Sequence, residues 1–126
     1  ERVQFGKPIG RQQALQQQLA VMAENVVAMR LAVQLACARG LPLDPALAAT
    51  AKSITSAAAA RVANTAHAVH GAIGISEEHD LQLYTRRLHD WRLAWGSESY
   101  WNAVLGSARL GESAPSVDWV RGRLFG

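Results

Sequence analysis

"DPALAATAKSITSAAAARVANTAHAVHG", residues 44–71, reads as one long helix with both of its ends written into it. Asp44 can cap free backbone N–H groups, and Pro45 suits the first helical position, where no N–H is needed. Leu47, Ala51, Ile54, Ala58, Val62, Thr65 and Val69 recur at steps of three and four residues, which draws one stripe along a helix. The run "SAAAARVANTA" keeps side chains small, so a neighbouring helix can approach closely. His70-Gly71 ends the pattern, glycine being the residue that leaves a helix at little steric cost.

Both flanks repeat the helical period. Upstream, Leu15, Leu19, Met22, Val26, Met29, Val33 and Ala36 form a second stripe, stopped by Gly40 and Leu41-Pro42, with Arg39 placed to meet the negative end of the helix. Downstream, a third helix is predicted to begin near Ser76, with Glu77 and Glu78 in its first turn, and to carry the stripe Leu81, Tyr84, Leu88, Trp91 and Trp95. Gly96-Ser97 interrupts it. A shorter helix follows from about Ser97 to Leu110, and after "GESAPS" a last turn is predicted around Val117 to Leu124. No segment alternates with period two. The fold class is therefore all-α, of the up-and-down four-helix-bundle type. Three long helices and one short one make an incomplete bundle, and "ERVQFGK" reads as the end of something helical. The pattern implies that the first bundle helix is lacking here, either upstream in a longer parent or supplied by another subunit.

Composition narrows the function classes. The 126 residues suffice for one domain, 49% of them are apolar, and 23 are alanine, the strongest helix former. No run of about 18 uncharged apolar residues suggests a membrane span, and the first residues resemble neither a signal nor a transit peptide. The net charge is +3 although the pI is about 9.6. Its basic residues are spread along the chain, which argues against a nucleic-acid partner. A single cysteine, Cys37, rules out an internal disulfide and fits a reducing, cytoplasmic setting.

Few residues point to chemistry by themselves. His67 and His70 lie three apart on one helix, but a third ligand and a carboxylate-rich partner are wanting, so a capping or half-buried pair is expected and no metal. Cys37 is expected as a small core residue, and Trp91, Trp95 and Trp101 as core or interface aromatics. "LQQQLA" is read as a solvated face. The stretch "HGAIGISEEHD", residues 70–80, is more informative. Gly71 ends one helix, while Gly74, Ile75 and Ser76 lead into the N-terminus of the next, where N–H groups and the helix dipole favour an anion such as phosphate.

Three stretches in order resemble the flavin-dependent acyl-CoA dehydrogenase family. "ERVQFGKPIGRQQALQQQLAVM" is similar to its segment R-x-x-F-G-x-x-I-x-x-x-Q, "AVHGAIGISEEHDLQLYTRR" to Q-x-x-G-G-x-G-Y-x-x-E, and "LAWGSESYW" to Y-E-G-T-S-x-x-Q. The resemblance runs from Glu1 to about Leu110 and implies the C-terminal helical domain over residues 1–126, as a fragment of a longer parent. It also implies FAD. Arg2, Phe5 and Gln13 match residues that reach the adenosine-diphosphate part of FAD held by a neighbouring subunit; Gly71, Ala72 and Gly74 match the glycine turn beside its pyrophosphate. Ser97 and Ser99 match positions that hydrogen-bond the flavin cofactor.

The departures bear on catalysis. Ala68 stands where the family has glutamine, Ala72 where it has its second glycine, and Ile75 where it has tyrosine. Trp95 occupies the position at which many members carry the glutamate base, and Glu98 is nearby but out of register. Other members place the base on the first bundle helix. No residue of this chain is therefore assigned the catalytic step. The resemblance implies a parent that oxidises acyl-CoA to 2,3-enoyl-CoA in fatty acid metabolism, with this domain supplying FAD contacts and an oligomer core, as a dimer or tetramer. The fragment alone is expected to be inactive, and an electron-accepting flavoprotein is expected to reoxidise the parent. Two other readings stay open: a non-catalytic subunit of a hetero-oligomeric dehydrogenase, and a cofactor-free helical dimerisation module.

Overall fold

The computed structural model describes residues 3–4, 6–8, 13–71 and 80–126. Two short strands, β1 (Val3–Gln4) and β2 (Lys7–Pro8), pair antiparallel across Gly6, which takes the left-handed φ of 72°. Where "ERVQFGK" reads as the end of something helical, its described residues Val3–Gln4 and Lys7 belong to this short hairpin instead. Four helices of 13 to 26 residues follow: α1 (Gln13–Cys37), α2 (Pro45–His70), α3 (Leu81–Leu93) and α4 (Glu98–Leu110). A short α5 (Ser116–Val120) continues into a π-helical turn over Arg121–Phe125. The all-α reading holds, and the hairpin only decorates it.

The cap written at Asp44 is made. Its Oδ1 accepts from the N–H groups of Ala46 and Leu47 at 2.9 and 3.2 Å. Burial pushes this carboxyl up, but those two donors and the guanidinium groups of Arg123 and Arg39 outweigh it, so its pKa lies below the ordinary value. At the other end Gly71 takes φ 66° and its N–H bonds the carbonyl of His67. Leu41-Pro42, between α1 and α2, is cis. The predicted start of α3 at Ser76, with Glu77 and Glu78, lies outside the described residues.

The helix α2 is the axis of the fold, packing against α1, α3 and α4. Its small residues make this possible: Ala49 and Ala63 are fully covered, and Ser56, Ala58 and Ala59 nearly so. A core of Ala32, Ala36, Leu47 and Ala51 joins α1 to α2, and Leu124 of the C-terminal turn packs on it. Trp119 of α5 is buried as well.

Several expectations are corrected. The stripe expected on α1 is only half covered, because Leu19, Val26 and Val33 are exposed. Its inward line runs instead through Met22, Asn25, Met29, Ala32 and Ala36. The same three-and-four spacing, turned by one position, brings small Ala32 and Ala36 against the small residues of α2. Cys37 is exposed, not a core residue. Trp91 and Trp95 are 62% and 91% exposed, so neither is a core aromatic. Arg39 reaches the main-chain oxygen of Gly126 and ties the C-terminus to the α1–α2 corner, where Arg123 pairs with Asp44 at 3.4 Å.

By length and composition alone α1 is apolar enough to cross a membrane, with mean hydropathy 1.4 over its best window. It carries Glu24 and Arg30 midway and lies along α2 as a bundle helix does.

Candidate functional site

Among the described residues, the richest polar geometry lies where α3 ends, α4 begins and the middle of α2 passes beneath. Lys52 reaches out of the otherwise small-residue helix, and its Nζ donates to Ser56 Oγ at 2.8 Å, to the Trp91 carbonyl at 3.0 Å and to the Arg92 carbonyl at 2.9 Å. Those carbonyls belong to the last turn of α3, where backbone oxygens lack helical partners and a cation is favoured. Burial pushes the Lys52 ammonium below its ordinary pKa, and Glu98 nearby pulls it partly back. One residue on, Ser53 Oγ bonds Asn102 Oδ1 of α4 at 2.5 Å.

The chain then turns sharply. Trp95 and Gly96 take φ 62° and 93°, two consecutive left-handed residues, of which only glycine adopts such a backbone without strain. Gly96 is needed for space too, since a Cβ there would stand 2.8 Å from the Tyr100 ring and 3.2 Å from Trp101 Nε1. The turn is tied on its far side by Trp101 Nε1, which donates to the Trp95 carbonyl at 3.0 Å. Arg92 grips Glu98 with two parallel bonds, Nε to Oε2 at 3.1 Å and Nη2 to Oε1. That contact holds the Glu98 carboxyl at a pKa of about 2, so it stays an anion and is a poor proton acceptor. The sequence reading set Glu98 aside as a base on register; its ion pair gives a chemical reason.

Beside this corner, Met29, Lys52, Thr55, Ser56, Leu88 and Trp91 help line a cleft of about 240 Å³. The Arg87 guanidinium lies 5.8 Å from the centroid of the exposed Trp91 ring.

The sequence-predicted residues fall on separate junctions. Gln13 is exposed at the start of α1, Gly71 ends α2, and Ser97 and Ser99 sit at the start of α4. Ser97 is the N-cap residue by position, yet its side chain makes no cap bond. Arg2, Phe5, Ala72 and Gly74 lie outside the described residues, as does Ile75. His67 and His70 are engaged separately: His67 Nε2 lies 2.8 Å from Thr85 Oγ1, and His70 Nδ1 2.7 Å from the Ala66 carbonyl. Thr85 Oγ1 donates to the Gln82 carbonyl at 3.3 Å, so a proton on His67 Nε2 satisfies both contacts. The pair is half-buried and hydrogen-bonded, as expected, and no metal-holding group of three occurs among the described residues.

Sequence reasoning passed over Lys52 and Ser56. The available signal was a lone lysine inside a small-residue helix, with a serine four residues on and so on the same face.

Comparison with known proteins now decides the family. Residues 1–103, most of the chain and all of α1–α3, match the family described as acyl-CoA dehydrogenase, C-terminal domain. The chain belongs to the acyl-CoA dehydrogenase family. An acyl-CoA dehydrogenase named IpdE2 from Mycobacterium tuberculosis is 41% identical over 88 residues, 70% of this chain and 27% of that protein. Its namesake from Mycolicibacterium smegmatis is 39% identical over 89 residues, 71% of this chain and 28% of its own. A 3-sulfinopropanoyl-CoA desulfinase from Paraburkholderia xenovorans is 33% identical over 112 residues, 88% of this chain and 29% of its own. The chain spans less than a third of the length of these relatives. No solved structure matches it.

Proposed function

We propose that residues 1–126 form the C-terminal, FAD-contacting and oligomerisation domain of an acyl-CoA dehydrogenase whose parent oxidises acyl-CoA to 2,3-enoyl-CoA. The observation that carries this reading is the family match over residues 1–103. The names of the three relatives share an acyl-CoA or a CoA thioester, which supports the substrate class. Bound FAD supplies a two-electron acceptor for the hydride lost from the substrate β-carbon. Arg2 would pair with the cofactor pyrophosphate, since a guanidinium matches two phosphate oxygens at once, and Phe5 would pack on the adenine. Gln13 joins them at the adenosine end.

Gly71 and Ser97 support a place for this group. Gly71 has the left-handed backbone of a turn that offers its main chain without a Cβ, as the pyrophosphate turn with Ala72 and Gly74 requires. The hydroxyl of Ser97 is not spent on capping α4, which leaves it for the cofactor, with Ser99 beside it. No residue of this chain is assigned the catalytic base: Trp95 has no proton-accepting side chain, and Glu98 is held as an ion pair. The parent works as a homo-oligomer, dimer or tetramer, through the apolar outer face of α1. It passes electrons to a flavoprotein acceptor and resides in the cytoplasm, where the exposed thiol of Cys37 stays reduced.

The test is FAD retention in the full-length parent. Arg2→Ala removes a charge-assisted contact worth about 1.5–3 kcal/mol, so FAD should bind roughly ten- to a hundredfold more weakly. Unchanged flavin content and activity in this variant would contradict the cofactor assignment and favour a cofactor-free helical module. Trp95 in the position of a glutamate base favours one second reading, a non-catalytic subunit of a hetero-oligomeric dehydrogenase. A purified parent that retains FAD but turns over acyl-CoA only when a second subunit is added supports that one instead.

A further inference from the structure

We propose that Lys52 is a positioning residue: by gripping the last carbonyls of α3 it sets the Trp95–Gly96 turn and so holds the Trp95 indole out of the fold. The argument begins with what α3 would do unaided. One more turn of helix would bond the Trp95 N–H to the Trp91 carbonyl and the Gly96 N–H to the Arg92 carbonyl. Lys52 Nζ occupies both of those oxygens, at 3.0 and 2.9 Å, and spends its third donor on Ser56 Oγ. Every ammonium proton then has an acceptor. Ser56 Oγ adds a 3.3 Å bond to the same Arg92 carbonyl.

With Lys52 Nζ standing where the next helical N–H donors would come, α3 stops. Gly96 N–H turns back to the Leu93 carbonyl at 3.2 Å, and the chain passes through two left-handed residues. For a tryptophan such a backbone is costly, and it persists only where surrounding contacts impose it. The ties from Arg92 to Glu98 and from Trp101 to Trp95 lie within α3, α4 and the turn. Lys52 and Ser56 belong to the helix at the centre of the packing, so they anchor the turn to the core. The product of this strain is an aromatic side chain held 91% exposed. That Trp95 meets the acyl-CoA side of a dehydrogenase site rests on the function proposed above; that Lys52 sets its position does not.

The experiment uses the chain labelled with 5-fluorotryptophan, whose four tryptophans give four fluorine resonances, that of Trp95 being assigned by Trp95→Phe. Lys52→Met keeps the aliphatic stem but removes all three donors. The Trp95 resonance should move toward its value in the denatured chain, the Trp119 resonance should stay, and Lys52→Arg should restore much of the original position. If Lys52→Met does not fold, Ser56→Ala takes its place and should move the Trp95 resonance the same way by less. An unmoved Trp95 resonance in the folded variant would overturn the proposal, as would an equal shift of all four. The readout needs no flavin, so its failure is distinguishable from a failure of the dehydrogenase reading, which Arg2→Ala tests separately.

Discussion

The helices α1 and α2 are nearly equal in length, 25 and 26 residues, and both are rich in alanine, while α1 alone is also rich in valine and leucine. Nine residues of α2 are buried, against two of α1. The difference lies in side-chain size and in neighbours. Small residues on several faces of α2 admit three helices at once, whereas α1 meets α2 along one narrow line and leaves Val21, Val27, Leu31 and Val33 exposed. A helix that is apolar on more than one side is normally covered on more than one side. The outer face of α1 therefore reads as surface meant for another helix or another subunit, in keeping with the oligomerisation proposed here.

The largest effect should separate the two helices outright. Ala63→Leu inserts a large side chain where α2 has no exposed surface and should destabilise the chain by about 1–3 kcal/mol, read in a denaturant melt. Val27→Ser on α1, measured where the chain is monomeric, removes a side chain that touches little within the fold and should shift the same melt by less than about 0.5 kcal/mol. Equal losses from the two would break the comparison.

A smaller effect sharpens it at the α3–α4 corner. The folded Glu98 carboxyl is held at about 2, below the ordinary glutamate value of about 4.3. Its contribution to stability is therefore complete above the unfolded value and is lost as the pH falls toward 2. Melting temperatures of the native chain and of Glu98→Gln should differ at neutral pH and converge between about pH 4.5 and 2. A pH-independent difference would mean that the Arg92–Glu98 pair does not form in solution.

How far the sequence revealed this molecule depends on the kind of information each feature uses. The ends of α2 were legible because Asp44, Pro45 and Gly71 act on their own backbone. The start of α4 at Ser97 was legible for a similar local reason, the break at Gly96. The facing of α1 was not. Choosing the largest apolar residues gave Leu19, Val26 and Val33, while the packed line uses Ala32 and Ala36, because close approach to α2 rewards small residues over large ones. At the site, the resemblance pointed to Gly71, Ser97 and Ser99, which do lie at element ends, and to Trp95 as a departure. Lys52 escaped notice because its partners are main-chain carbonyls of a helix some 40 residues away, and a carbonyl carries no sequence signature. The bond from Arg39 to the backbone at Gly126 escaped notice for the same reason.

The most direct test of the account is the association state of the chain itself. With the outer face of α1 uncovered, sedimentation velocity at micromolar concentration should show reversible self-association. Leu31→Lys, which places a charge on that face, should shift the chain toward monomer without loss of helix content. A clean monomer at that concentration, with full helical signal, would contradict the claim that α1 carries an interface.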